Sequence, residues 1–215
     1  MLLTLAVKLI LCLFAADDLK LSRSTGLFDR LWKEYFRARG QTYQPPNLTP
    51  FTGKRDSPCG KIQAGNAYYC EKNNTVYYDS DFLSALRLRV ASDTGTSGDA
   101  APVVAIAHEL GHAVYAQLNR QTRPVRGMQQ LQGYGEEKMA DCLAGFLTSA
   151  AAEKGLLETN VLMETESTMA LIWEMNRRKG HPNWRVRFNS FLHGYRNGLE
   201  ACSDATFENL RYPGK

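Results

Sequence analysis

The chain has 215 residues, of which 44% are hydrophobic and 10% aromatic, a composition typical of one folded globular domain and not of a disordered chain. Its 26 basic and 22 acidic residues give a formal charge of +4, and no recognised nucleic-acid-binding motif accompanies this small excess. We therefore expect no nucleic-acid partner.

The N-terminal segment, residues 1–16, is apolar apart from Lys8 and ends in two alanines. It is shorter than the roughly 20 residues of a membrane-spanning helix, and its length and small final residues fit a signal peptide. The position of Lys8 leaves a truncated membrane anchor or a buried N-terminal helix as alternatives. We expect a signal peptide or membrane-anchor segment over residues 1–16 and the folded domain over residues 25–205.

Four sequence patterns precede the central helix: one helical pattern, one proline-rich segment and two β-prone runs. Apolar residues at helical spacing predict a helix over residues 26–39, and the prolines of residues 44–50 predict an extended connection. Aromatic, β-prone runs at residues 66–70 and 75–78 predict a hairpin.

Helices dominate the rest of the pattern. Asp81 is a candidate N-cap for a short helix that ends near Val90. Asp99 is a candidate cap of the central helix, which tolerates Pro102 in its first turn. Further helices are predicted over residues 136–154, 165–179 and 183–201. We therefore expect a mainly helical α+β domain with a small β-hairpin or sheet region.

The apolar central helix carries ionisable residues at His108, Glu109 and His112. Histidines four residues apart share one helix face, so both can bind one metal ion. Glu109 lies beside them and can take a proton from metal-activated water. Gly111 lowers helix propensity, which is consistent with close packing against the backbone there. Because the three fixed letters of H-E-x-x-H also arise by chance, the interpretation requires a third ligand.

The next predicted helix offers that ligand, because Glu137 and Asp141 lie on one helix face. Glu137 completes a His₂Glu set that suits Zn²⁺, and Asp141 can accept a hydrogen bond from the ring of a ligating histidine, which we take to be His108. Asp141 itself as the ligand and Glu136 in place of Glu137 are alternatives. An acidic first turn that complements the helix dipole needs no metal at all.

The sequence contains five cysteines, and their bonding state indicates the cellular compartment of the protein. Cys12 lies in the N-terminal segment, and the other four, Cys59, Cys70, Cys142 and Cys202, allow three disulfide pairings. A cysteine–metal cluster is the competing interpretation, but the sequence has no C-x-x-C pair to build it. Disulfides favour an extracytoplasmic protein that is secreted or membrane-anchored.

These motifs resemble the bacterial family called putative neutral zinc metallopeptidases. The resemblance rests on Ala107–Val114 and Glu137–Gly145, with shorter matches at residues 43–46, 51–53, 59–60, 66–70 and 185–188. It implies a zincin-like, gluzincin-like fold with Glu137 as third zinc ligand, and disulfides Cys59–Cys70 and Cys142–Cys202. Because the family is named largely from its motif, the resemblance identifies no substrate.

The Glu-x-x-Ala-Asp arrangement is also similar to thermolysin-like and prenyl-protease-like enzymes. In the latter, a histidine shortly before an arginine-containing helix approaches the active site. The resemblance makes His181 a candidate catalytic residue that stabilises the oxyanion, with Tyr134 as an alternative. The simpler interpretation of His181 is a surface residue beside a helix.

The expected function is zinc-dependent hydrolysis of peptide bonds by metal-activated water, with Glu109 as general base. The expected partner is a peptide or protein substrate, with a membrane tether where residues 1–16 are retained. Residues 119–135 are expected to form a wall of the substrate groove. Alternatives are an exported metal-dependent amidase acting on non-protein amides, and a catalytically silent metal-binding or regulatory module.

Overall fold

The computed structural model describes the backbone of residues 2–121, 134–175 and 183–202, and the side chains of residues 19–120, 135–175 and 183–202. Its helices are α1 (Leu2–Ala38), α2 (Ser80–Thr94), α3 (Ala100–Gln121), α4 (Tyr134–Glu153), α5 (Val161–Met175) and α6 (Trp184–Asn197). Its strands are β1 (Asn47–Phe51), β2 (Arg55–Ser57), β3 (Gly60–Ile62), β4 (Ala67–Cys70) and β5 (Thr75–Asp79). The predicted mainly helical α+β class is confirmed.

The larger sheet has the strand order β1-β5-β4. Strands β4 and β5 pair antiparallel, with Tyr69 opposite Val76, which confirms the predicted hairpin. Residues 44–50 were expected to be only an extended connection, but β1 pairs parallel with β5 and carries Pro50. An edge strand tolerates proline because its outer N–H needs no partner. The two-stranded ribbon β2-β3 was not predicted.

Helix α1 is longer than the predicted helix, since it runs from Leu2 to Ala38. In its C-terminal half Phe28, Trp32 and Phe36 are buried, and the Trp32 ring meets Phe146 of α4 edge-on. Among the described residues, no helix combines the length and apolarity needed to cross a bilayer. The separate role expected for residues 1–16 stays a prediction.

Two helix caps differ from the predictions. Asp79, not Asp81, caps α2, because Oδ1 of Asp79 accepts hydrogen bonds from the backbone N–H groups of Asp81 and Phe82. Asp99 directs its carboxylate at Arg87, 3.4 Å away, and at Lys20. The backbone N–H groups at the start of α3 donate instead to Glu164.

Glu164 belongs to the first turn of α5 and is 2% exposed. Its carboxylate accepts hydrogen bonds from the N–H groups of Gly98 and Ala100, at 3.1 and 2.7 Å. A carboxylate at this position satisfies helix-terminal donors and complements the positive end of the helix dipole. Helix α5 therefore anchors the N-terminus of α3.

Two close crossings fix α4 between α3 and α6. A Cβ atom at Gly111 would lie 2.7 Å from the carbonyl oxygen of Ala140, and a Cβ atom at Gly194 would collide with the carbonyl of Cys142. Only glycine allows backbones to approach this closely. The packing inferred for Gly111 from the sequence is thus present, and it brings α3 and α4 together at the site described below.

The structure contains both disulfides that the resemblance implies. Cys59–Cys70 closes a separation of 11 residues and ties the end of β4 to the β2-β3 ribbon. Cys142–Cys202 closes a separation of 60 residues and joins α4 to the chain beyond α6. Two such bonds are typical of proteins from oxidising, extracytoplasmic environments.

Candidate metal centre

Three side chains from two helices converge on one point. His108 and His112 lie on one face of α3, and Glu137 lies in the first turn of α4. The two Nε2 atoms are 3.1 Å apart. Oε2 of Glu137 lies 3.5 Å from Nε2 of His108, and Oε1 of Glu137 lies 3.7 Å from Nε2 of His112. These residues can offer three donor atoms that all lie within 4.8 Å of one another.

The spacing of these atoms can be compared with a zinc site. With zinc–ligand bonds of about 2.0–2.1 Å and tetrahedral angles, ligand atoms lie roughly 3.3 Å from one another. The separations of 3.1, 3.5 and 3.7 Å fall around that value. Two imidazole nitrogens and one carboxylate are also the donor chemistry of many catalytic zinc sites. The trio therefore fits one zinc ion with a further coordination position to spare.

The other nitrogen of each ring faces a carboxylate. Nδ1 of His108 lies 2.8 Å from Oδ1 of Asp141, and Nδ1 of His112 lies 3.3 Å from Oε1 of Glu136. A carboxylate at Nδ1 holds the proton there, which leaves the Nε2 lone pair for a metal. Asp141 and Glu136 thus lie on the outer side of the rings, so the geometry favours Glu137 over both as the third ligand.

Arg187 of α6 completes the cluster, although the sequence singled it out only within a family motif. Its Nε and Nη2 atoms donate to the two oxygens of Asp141 at 2.9 and 2.8 Å. Its Nη2 is 3.1 Å from both ring nitrogens of His108. The same Nη2 atom lies 3.6 Å from Oε2 of Glu137. Arg187 therefore pairs with the buried carboxylate of Asp141 and also lies close to the proposed third ligand.

The charges of this cluster shift its pKa values. Burial and Arg187 lower the pKa of His108, but Asp141 and Glu137 raise it more, to about 10. Burial opposes ionisation of Glu137 and Asp141, yet His108 and Arg187 hold the pKa of both carboxyls below the usual range. The metal-free site thus keeps its acids ionised and stores a proton on His108.

Glu109 lies next to the ligands but has a different partner. Its side chain is 9% exposed, and its Oε2 accepts a hydrogen bond of 2.7 Å from the backbone N–H of Tyr69. Glu109, His108, His112 and Glu137 all line one cavity of about 690 Å³. This volume lies within the roughly 300–1,000 Å³ of small-molecule sites. The cavity can therefore admit a substrate to the metal centre.

Some predicted residues lie outside the described part of the chain. His181 is one, and the side chain of Tyr134 is another. Most of the segment expected to wall the groove, residues 119–135, is also outside, because α3 ends at Gln121 and α4 begins at Tyr134. The roles expected for them stay predictions.

The chain resembles known bacterial proteins in sequence. It is 33% identical to "Uncharacterized protein YpfJ" of Escherichia coli K12 over 172 residues, which cover 76% of this chain and 58% of that protein. It is 32% identical to "Uncharacterized protein Rv2575" of Mycobacterium tuberculosis over 120 residues, 54% of this chain and 39% of that protein. The chain thus spans less than two thirds of these relatives, and no solved structure matches it significantly.

A family model matches most of the chain. The family described as "Putative neutral zinc metallopeptidase" matches residues 16–200. This range contains α3 and α4, which carry the candidate metal ligands, and α6, and it takes in most of the chain. The chain belongs to this family.

Proposed function

We propose that the chain is a zinc-dependent peptidase in which His108, His112 and Glu137 hold the metal. The observation that carries the proposal is the convergence of these three side chains on one point, beside the buried carboxylate of Glu109. Zinc in this position would polarise a substrate carbonyl and lower the pKa of a coordinated water.

Glu109 acts as the general base in this proposal. The N–H of Tyr69 occupies its Oε2, which fixes the carboxylate and leaves Oε1 to receive a proton. This oxygen takes the proton of the attacking water and then returns it to the leaving amine.

The edge of β4 supports a peptide as the substrate. In the described sheet β5 flanks β4 on one side, and the N–H of Tyr69 points to the other side, toward Glu109. Ala67 and Tyr68, which precede Tyr69 in β4, also line the cavity. An extended peptide can pair with such an edge through main-chain hydrogen bonds, which small amides without a peptide backbone cannot exploit.

Two other functions have less support. An amidase for non-protein amides would use the same catalytic groups, but the open β4 edge would then have no role. A silent metal-binding module would not require a buried carboxylate next to the ligands. The two disulfides support an extracytoplasmic location, and we propose that residues 1–16 act there as a signal peptide or anchor.

A digestion experiment tests the proposal. Zinc-loaded protein is incubated with a peptide library, with and without a chelator, and products are identified by mass spectrometry. Glu109→Gln should keep one zinc per chain and lose about 100-fold to 10,000-fold in rate. Glu166→Gln, an exposed carboxylate on α5, serves as the matched control and should retain activity. Full activity in Glu109→Gln, or no cleavage by the wild type, would reject the proposal.

A further inference from the structure

One wall of the active-site cavity is apolar. Helix α5 contributes Thr168, Met169, Ile172 and Trp173, and α2 contributes Phe82. The spacing of the α5 residues places them on one face of that helix. The same cavity is also lined by charged residues of α4 and α6.

The floor of the same region belongs to the metal-binding helix. Val104 and Ala105 line the cavity, and each lies one turn before His108 and Glu109, respectively. One helical turn advances about 5.4 Å. Val104 and Ala105 therefore place apolar surface of the cavity about one helical turn from His108 and Glu109.

The wall is fixed by packing before any substrate binds. Val104 and Met169 are 2% and 6% exposed, and the hydroxyl of Thr168 donates to the carbonyl oxygen of Glu164 within its own helix. Phe82 and Ile172 pack against a second apolar cluster, formed by Leu86, Val90 and Ala101. A rigid apolar surface of this kind discriminates side chains by size and polarity.

We propose that this wall is a specificity pocket for a bulky apolar side chain, such as Leu, Ile, Met or Phe, on one of the two residues flanking the scissile bond. The inference rests on the proposed peptidase function. Successive residues of an extended peptide are about 3.3 Å apart, so a residue that contributes to the reacting bond can place its side chain one helical turn from the ligands. A charged side chain there would lose its hydration without gaining a partner from α5.

Matched peptides test the preference directly. Two series share one sequence and carry Leu, Phe, Ala, Asp or Lys at the residue on either side of the cleaved bond. At one of these positions kcat/KM should be at least about tenfold higher for Leu or Phe than for Ala, and higher still against Asp or Lys. Equal rates for all five residues at both positions would overturn the pocket.

Variants at Ile172 test whether the apolar wall formed by α5 causes the side-chain preference. Ile172→Ala should shift the Phe-to-Leu ratio of kcat/KM upward, and Ile172→Phe should shift it downward, each by several-fold. Met163→Ala, on an exposed part of α5, is the matched control and should leave the ratio unchanged. Zinc content and circular dichroism check that each variant folds. If both Ile172 variants lower all rates uniformly, the residue has only a structural role and the inference is wrong.

A binding measurement separates this inference from the proposed function. Zinc-loaded Glu109→Gln is titrated with fluorescent versions of the same peptides, and anisotropy gives the affinities without turnover. Preferential binding of apolar peptides together with no cleavage by the wild type would reject the peptidase and retain the pocket. Cleavage without any apolar preference would reject the pocket alone, and so would binding that ignores the varied side chain.

Discussion

The backbone N–H of Tyr69 donates a hydrogen bond of 2.7 Å to Oε2 of Glu109, and it thereby joins the edge of β4 to α3, the helix that carries the two candidate histidine ligands. Both residues are mostly buried, so removal of the acceptor leaves this donor only water from the cavity as a partner. The bond links the orientation of the proposed base to the strand proposed to bind the substrate. It therefore has consequences for stability as well as for catalysis.

Glu109→Ala and Glu109→Gln should differ in stability. The alanine variant leaves the Tyr69 N–H without an acceptor, which costs about 1–3 kcal/mol, whereas the glutamine side chain retains a carbonyl oxygen there. Urea unfolding of the metal-free proteins measures the difference. Equal stability of the two variants would show that the bond contributes nothing in solution.

Neighbouring acids on α4 should differ in their effect on zinc. Glu137→Ala removes a proposed ligand and should abolish stoichiometric zinc binding. Glu136→Ala removes only the carboxylate at Nδ1 of His112 and should weaken binding about 10-fold to 100-fold. Competition with a chromogenic chelator measures both affinities. The reverse order would assign the ligand to Glu136.

Arg187 should matter more for stability than a neighbouring arginine. Arg187→Met leaves the fully buried carboxylate of Asp141 without its bidentate partner, and breaking a buried pair costs about 3–5 kcal/mol. Arg185→Met is the matched control, because Arg185 is exposed and stacks on the Trp184 ring. Chemical denaturation of the metal-free variants gives the comparison. Similar small losses for both would mean that the Asp141 pair is not formed.

Zinc binding should release a proton and depend on pH. The pKa of His108 in the metal-free site is raised to about 10, so the ring is protonated at neutral pH and zinc must displace that proton. Apparent zinc affinity should therefore rise about tenfold per pH unit from about pH 6 to about pH 9. Calorimetry in buffers of different ionisation enthalpy counts the released proton. A pH-independent affinity would contradict the protonated ring.

The raised pKa of His108 also predicts how the stability of the metal-free protein depends on pH. The pKa of His108 is raised above its ordinary value of 6.5, so its stabilising contribution is complete below that pH and is lost as the pH rises toward 10. The pKa values of Glu137 and Asp141 are lowered, so their contribution is lost only in acid. Urea unfolding of chelator-treated protein should show stability declining across the alkaline window, and saturating zinc should remove that decline.

The metal-binding part of the site could be predicted because its signals are local. His108 and His112 share a face by helical spacing, and the same rule pairs Glu137 with Asp141 on the next helix. The hairpin β4-β5 is also a local pattern, with strands separated by a short turn. For these elements periodicity and turn residues are sufficient.

Contacts between distant elements left no comparable signal. Arg187 meets Asp141 across 46 residues, and Glu164 reaches the start of α3 across 64 residues. Neither residue differs in its own helix from an ordinary charged side chain. The parallel pairing of β1 with β5 is likewise set by tertiary packing, which a short run containing Pro50 does not encode.

The Cys142–Cys202 bond affects how this protein would respond to being cut. A single backbone cleavage anywhere between those two residues leaves both fragments covalently attached, so Arg187 stays tethered to the helix that carries Asp141. Such a nicked molecule would migrate as one species in non-reducing electrophoresis and as two after a thiol is added. The cross-link thus keeps all of the candidate site residues on one molecule after a single proteolytic cut in that stretch.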